Sequence, residues 1–153
     1  MSETKQVKKK KPRRKWLMPQ EVEVWYVLPA IRRELSKFMK FERGQAQKSI
    51  ARMLGVTEPA VTQYMLSKRD KPRRSRGDQV EIPENLGPEI EKSADAIIDA
   101  WTGGRPIDRA FETTTREINR LIKVMRNAGI LCEIHREHCQ GIHQDCDACE
   151  KGA

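Results

Sequence analysis

The run Gly44–Arg69, GQAQKSIARMLGVTEPAVTQYMLSKR, decides how the rest of the chain is read. Two helices crossing at a steep angle need a small residue where their backbones approach, and Ala51 supplies it. Gly55 provides the left-handed residue of a tight turn. Val61 then plugs the inner face, and Ile50, Leu54, Val56 and Tyr64 complete a small core. Thr57 is a good N-cap for a second helix expected over Thr57 to Lys68. Pro59 is tolerated in its first turn, where amide hydrogens have no intrahelical partner.

This spacing resembles the helix-turn-helix of the Xre/lambda-repressor-like DNA-binding families over Gln47–Leu66. The resemblance implies that the helix from Thr57 enters the major groove by its N-terminal end. In that placement Glu58, Thr62 and Gln63 face bases, Gln63 matching adenine and Glu58 the amino group of cytosine, while Gln47 and Ser49 meet phosphate.

The flanking charge agrees with a polyanion partner. Residues 1–15 carry Lys5, Lys8, Lys9, Lys10, Lys11, Arg13, Arg14 and Lys15 against Glu3, a charge of +7. Residues 67–76 carry Lys68, Arg69, Lys71, Arg73, Arg74 and Arg76 against Asp70, a charge of +5. The net charge of the chain is +8, so the half that follows is acidic. Lys and Arg near phosphates release condensed counterions, and Lys68, Arg69, Arg73 and Arg74 are expected to bind the backbone of double-stranded DNA without reading bases. The same charge suits RNA, which is the alternative partner.

The remaining organisation follows from periodicity. Residues 1–15 have almost no apolar side chains and are expected to be a disordered basic tail. From Pro19, the residues Val22, Trp25, Tyr26, Ile31, Leu35, Phe38 and Met39 recur at helical steps, and Pro29 predicts a kink or two short helices meeting near Val27 and Leu28. Residues 16–69 thus form the helix-turn-helix domain and 70–87 a basic linker, with Val80–Pro83 as a brief extended stretch. A helical hairpin is expected over 88–128: Ile90, Ala94, Ile97, Ile98 and Trp101 line one helix, and Ile107, Phe111, Ile118, Leu121, Ile122 and Met125 the other. Two helices bury little by themselves, so they pack on the N-terminal helix or on a second copy in a homodimer.

All four cysteines, Cys132, Cys139, Cys146 and Cys149, lie in the segment 129–153 in the pattern C-x6-C-x6-C-x2-C, with the only histidines, His135, His138 and His143, among them. Cys132 with His135 and Cys146 with Cys149 each have a spacing at which one turn presents two ligands. The segment reads as too poor in apolar residues for a core, so that a metal would be its fold. Four thiolates suit an iron-sulfur cluster or zinc, and His135 or His138 is the alternate ligand in a zinc site of three thiolates and one imidazole. From VWYVLPAIRREL through the helix-turn-helix to GILCEIH and CDAC, residues 18–149 resemble archaeal-type transcriptional regulators that join an Xre-like domain to a C-terminal Cys motif. That resemblance implies transcriptional control and an iron-sulfur cluster, with zinc as the alternative; the basic tail lies outside the family pattern.

The resulting expectation is an all-α chain: a lambda-repressor-like helix-turn-helix domain, a helical hairpin and a small Cys-rich metal-binding C-terminus. With 153 residues, 37% of them hydrophobic and 34% charged, it has room for a small aliphatic core and not for a large enzyme. No catalytic triad or phosphate-cradling glycine loop is present, so no enzymatic activity is expected. The longest apolar stretch, Val24–Ile31, is interrupted by Pro29 and is far short of a membrane span. No apolar region follows the basic N-terminus as in a secretory signal, which makes the cytoplasm the expected compartment and reduced, metal-binding cysteines the expected chemistry.

Overall fold

The computed structural model describes residues 16–66, 78, 80–139, 146 and 148. These are mostly helical, and no strand occurs among them. Helix α1, Pro19–Val22, runs into a π-helical turn, Glu23–Val27, and on into α2, Leu28–Phe41. Pro29 therefore does not split the segment. A proline lacks an amide hydrogen and its ring clashes with the carbonyl four residues back. The chain answers by widening: the Leu28 amide bonds to the Glu23 carbonyl, and Val27 and Leu28 both keep right-handed helical angles. The expected break near Val27 and Leu28 is thus a π turn within one helical path.

Helix α2 forms the centre of the molecule. Ala30, Ile31, Leu35 and Met39 are wholly buried, and the helix packs on α3 (Gln47–Leu54), α4 (Glu58–Met65), α5 (Gly87–Thr102) and α6 (Ile107–Asn127). Helices α5 and α6 pack along each other, and Ala94, Ile97, Leu121 and Met125 join the main core cluster, with Ala110 buried beside it. Across the outer edge of this pair Arg120 bonds to Glu89, to Glu117 (3.1 Å) and to Ser93 (2.7 Å). Burial disfavours charge on Arg120, but the hydrogen bonds to Glu89 and Glu117 outweigh it and raise its pKa. On α2's far end Arg43 reaches Asp95 at 2.8 Å and Glu91 at 2.9 Å on α5, which holds the Asp95 carboxyl below the usual carboxylate range.

Two expectations about apolar faces change. Ile107 and Phe111, read as part of the α6 stripe, are 59% and 45% exposed because the inward face of α6 begins at Ala110 and Thr114. The segment after residue 128, read as lacking a core, forms helix α7, Ile130–His138. Gly129, at φ 77°, turns the chain so that Ile130, Leu131 and Ile134 are buried in the same cluster as α1, α2 and α6. Three aliphatic residues on one face of a two-turn helix are enough when a preformed core receives them.

Two substitutions test this packing. Thr114 donates from Oγ1 to the Met53 carbonyl at 2.9 Å and accepts from the Trp101 indole at 3.0 Å. Thr114→Val keeps the volume and strands both partners, so denaturant unfolding should show a loss of about 2 to 4 kcal/mol. Ile134→Ala should cost about 2 to 4 kcal/mol in protein stripped of metal with EDTA, because α7 is packed by its own side chains. A segment folded only by metal would show no change in that assay.

Candidate nucleic-acid interface and cysteine segment

Helices α3 and α4 owe their geometry to the turn between them. Gly55 sits at φ 67°, its amide bonding to the Arg52 carbonyl at 3.4 Å and the Val56 amide to the Ala51 carbonyl at 3.0 Å, which is a Schellman closure. The ring of Phe111 covers this glycine so closely that a Cβ there would meet its edge at 3.1 Å. Thr57 then caps α4, its hydroxyl accepting from the Ala60 amide at 3.3 Å, with Pro59 in the first turn. Val61 is wholly buried in the same cluster as Ile50, Ala51 and Leu54, with Val56 packed on it half-buried; Tyr64, expected to complete this core, is half-buried outside the cluster. Burial raises the pKa of the Tyr64 phenol, so it stays neutral.

The structure brings four of the expected base- and phosphate-facing residues together. Gln47, Glu58, Thr62 and Gln63, joined by Pro59, line one open notch at the N-terminal end of α4. The Thr62 hydroxyl lies 3.1 Å from Gln47 Oε1 and 3.2 Å from the Glu58 carbonyl, so its single hydrogen is shared between them. That contact bridges the starts of the two helices. Thr57 borders the notch, with its hydroxyl engaged in the cap. Ser49 is half-buried and, two residues from Gln47, points from a different side of α3. The expected extension of the second helix to Lys68 is corrected: α4 ends at Met65, where Leu66 turns to extended angles at ψ 139°.

Lys68, Arg69, Arg73 and Arg74 lie outside the described residues. The point where the chain returns from that basic stretch is held firmly. Arg33, buried on α2, bonds to the Val80 carbonyl at 3.0 Å and pairs with the buried Asp78 at 3.5 Å. Sequence reading missed this pair because an arginine within an apolar stripe resembles a residue whose charged tip reaches solvent.

Cys132 and His135 on α7, and Cys139 at its C-cap, where the backbone turns extended at φ -123° and ψ 130°, are buried at 5%, 5% and 3% exposure. The Leu17 amide donates to Cys139 Sγ at 3.2 Å. His135 donates from Nε2 to the Leu17 carbonyl, since a carbonyl can only accept. His138 stacks on Tyr26, with ring centroids 4.2 Å apart and 15° between planes. Cys146 is half-buried, and Cys149 and His143 lie outside the described residues. Among the described residues no group of three or more His, Cys, Asp or Glu side chains is arranged around a common point. The surroundings of Cys139 nonetheless suit a thiolate ligand, because a backbone amide aimed at sulfur is how outer-shell groups support metal-bound thiolates. His135, by donating from Nε2 to the Leu17 carbonyl, has the kind of bond that fixes the tautomer of an imidazole ligating through Nδ1, and His138 has its ring face against Tyr26.

No helix among the described residues is long and apolar enough to cross a membrane. A scan against protein-family models, a search of curated proteins and a search of solved structures each return no match to this chain.

Proposed function

We propose that the chain is a sequence-reading regulator of transcription that docks on duplex DNA through α3 and α4, a lambda-repressor-like helix-turn-helix. The observation that carries this reading is the notch in which Gln47, Glu58, Thr62 and Gln63 present amide, carboxylate and hydroxyl groups to solvent from the start of α4. A helix entering the major groove by its N-terminus offers this end to base edges. Gln63 can pair bidentately with adenine and Glu58 can accept from cytosine, with Thr62 beside them on the base-facing side, and the bond of the Thr62 hydroxyl to Gln47 at 3.1 Å ties that side to the phosphate-facing start of α3. The polybasic stretches 1–15 and 67–76 add affinity for any phosphate backbone.

Cys132, Cys139, Cys146 and Cys149 are the candidate ligands of an iron-sulfur cluster, with zinc as the alternative. A cluster would supply a redox response and zinc a static clip. Helix α6 is a physical link between this segment and the docking surface, touching Gly55 through Phe111 and Met53 through Thr114 at one end and leading through Gly129 into α7 at the other. RNA is the second reading, favoured by the +7 tail, which suits RNA phosphates as well as those of DNA.

Selection of bound sequences from random duplexes, followed by mobility-shift titration, tests the reading. Gln63→Ala should weaken the selected site by about 1 to 3 kcal/mol and relax preference at one base position, leaving random DNA unaffected. Deleting residues 2–15 should weaken selected and random duplexes by similar factors and reduce the salt slope by about 0.9 per lost phosphate contact. Absence of any selected sequence, together with tight tail-dependent binding to structured RNA, would favour the second reading.

A further inference from the structure

Two open cavities adjoin between α2 and the stretch that leads into α5. The first, about 320 Å³, has an apolar lining of Phe38, Phe41, Ile82, Pro83 and Ile90. The second, about 290 Å³, reaches Leu66 at the end of α4. Glu34, Lys37, Ile82 and Glu84 line both, so the two form one groove with an apolar half and a charged half. Phe41 stands 65% exposed at its edge, a large apolar ring that folding leaves in water beside other apolar side chains. The groove is acidic in a basic chain. Its carboxylates are Glu34, Glu42, Asp78, Glu81 and Glu84 and its cations Arg33 and Lys37, a local charge of -3 where the whole chain carries +8. Arg33 is already divided between Asp78 and Glu34. Arg43, whose guanidinium lies 4.6 Å over the Phe38 ring, is held by Asp95 at 2.8 Å and Glu91 at 2.9 Å and lends the rim little positive potential.

We propose that this groove docks a peptide segment of another protein, one that places an apolar side chain beside lysine or arginine. The apolar side chain enters between Phe38, Phe41, Ile82 and Ile90, and the cation meets Glu34 and Glu84 where the two halves join. Charge complementarity selects this occupant. Carboxylates that attract an ammonium or guanidinium group repel the phosphates of a nucleic acid. A compact ligand in one half would leave the other unused, whereas an extended chain, at about 3.3 Å per residue, spans both within a few residues. Pro83 sits at extended angles, φ -57° and ψ 143°, and has no amide hydrogen to give an incoming strand, so side chains carry the recognition at that point. The groove shares no side chain with the notch at the start of α4, so the proposal does not depend on how that notch is read.

The test selects short peptides from a random phage-displayed library on the full chain and titrates a synthetic copy of an enriched sequence by fluorescence anisotropy. Enriched sequences should carry an aromatic or branched aliphatic residue within a few positions of lysine or arginine. Phe41→Ser and Glu84→Lys alter exposed side chains, so the fold is kept, and each should weaken the peptide by about tenfold, the effect of losing one interface anchor or reversing one rim charge. Phe41→Ser should leave binding to random duplex DNA unchanged, and Gln63→Ala should leave the peptide unchanged. No enrichment, enrichment without this pattern, or binding indifferent to both groove substitutions would overturn the proposal. Self-association of the free chain in sedimentation, lost on Phe41→Ser, would overturn it in favour of a second copy. A markedly tighter peptide complex when Arg73, Arg74 and Arg76 are all changed to Ser would overturn it in favour of the chain's own basic stretch.

Discussion

The carbonyl of Met53, in the last turn of α3, has no partner within its own helix, and the way it is satisfied organises the molecule. A helix end leaves its last carbonyls orphaned. The Ala51 and Arg52 carbonyls are met locally by the amides of Val56 and Gly55. Met53 is met from α6, by the hydroxyl of Thr114, which in turn accepts from the Trp101 indole of α5. Three helices therefore share one buried polar junction beneath the α3–α4 turn. Because an unpaired buried carbonyl is costly, the hairpin cannot slide along α3 without breaking it. The position of Phe111 over Gly55 follows from the same register, three residues earlier on α6.

The charged contacts divide by burial. Arg43 with Asp95 and Glu91 lies at the surface, where solvent and salt screen the attraction, so these pairs contribute little to stability whatever they do to carboxylate titration. Asp95 and Glu89 are held below the usual carboxylate range by hydrogen bonds from Arg43 and Arg120. Whatever stabilisation they add is present above the ordinary carboxylate pKa and fades as acid protonates them. Arg33 and Asp78 are a different case. Both are buried, and Arg33 divides its charge between Asp78 at 3.5 Å and Glu34 at 3.1 Å, so these groups form a small network in a site that offers little water. Their pairing, with the bond from Arg33 to the Val80 carbonyl, fixes Asp78 and Val80 beside α2.

The two ends of the chain are organised by one element. Helix α7 packs on α1 and α6 together, so its inward face carries aliphatic core residues and sulfur and imidazole groups side by side. This double use explains why the C-terminal segment is both part of the core and the place where the metal-binding residue types concentrate. It also joins the segment through Gly129 and α6 to the α3–α4 turn, and through the Cys139 contact to the backbone of Leu17.

Local chemistry carried the helices. Gly55, Thr57, Pro59 and Gly129 act within a turn or two of themselves, and capping and left-handed closure depend on little beyond that range, which is why the α3–α4 turn and the limits of α5 and α6 were legible in the residues alone. The same holds for the cluster of polar residues at the start of α4, since one turn of helix brings Glu58 and Thr62 onto a common face. What the sequence could not distinguish was Cys132 and His135 as a metal chelate from the same residues on an inward helix face, because both uses ask for a spacing of three. Nor could it pair Arg33 with Asp78, Thr114 with Met53, or Leu17 with Cys139 and His135, since contacts across tens of residues leave no period in the chain. Tertiary packing decided these, because each exists only where separate helices have already met around the aliphatic core of α2.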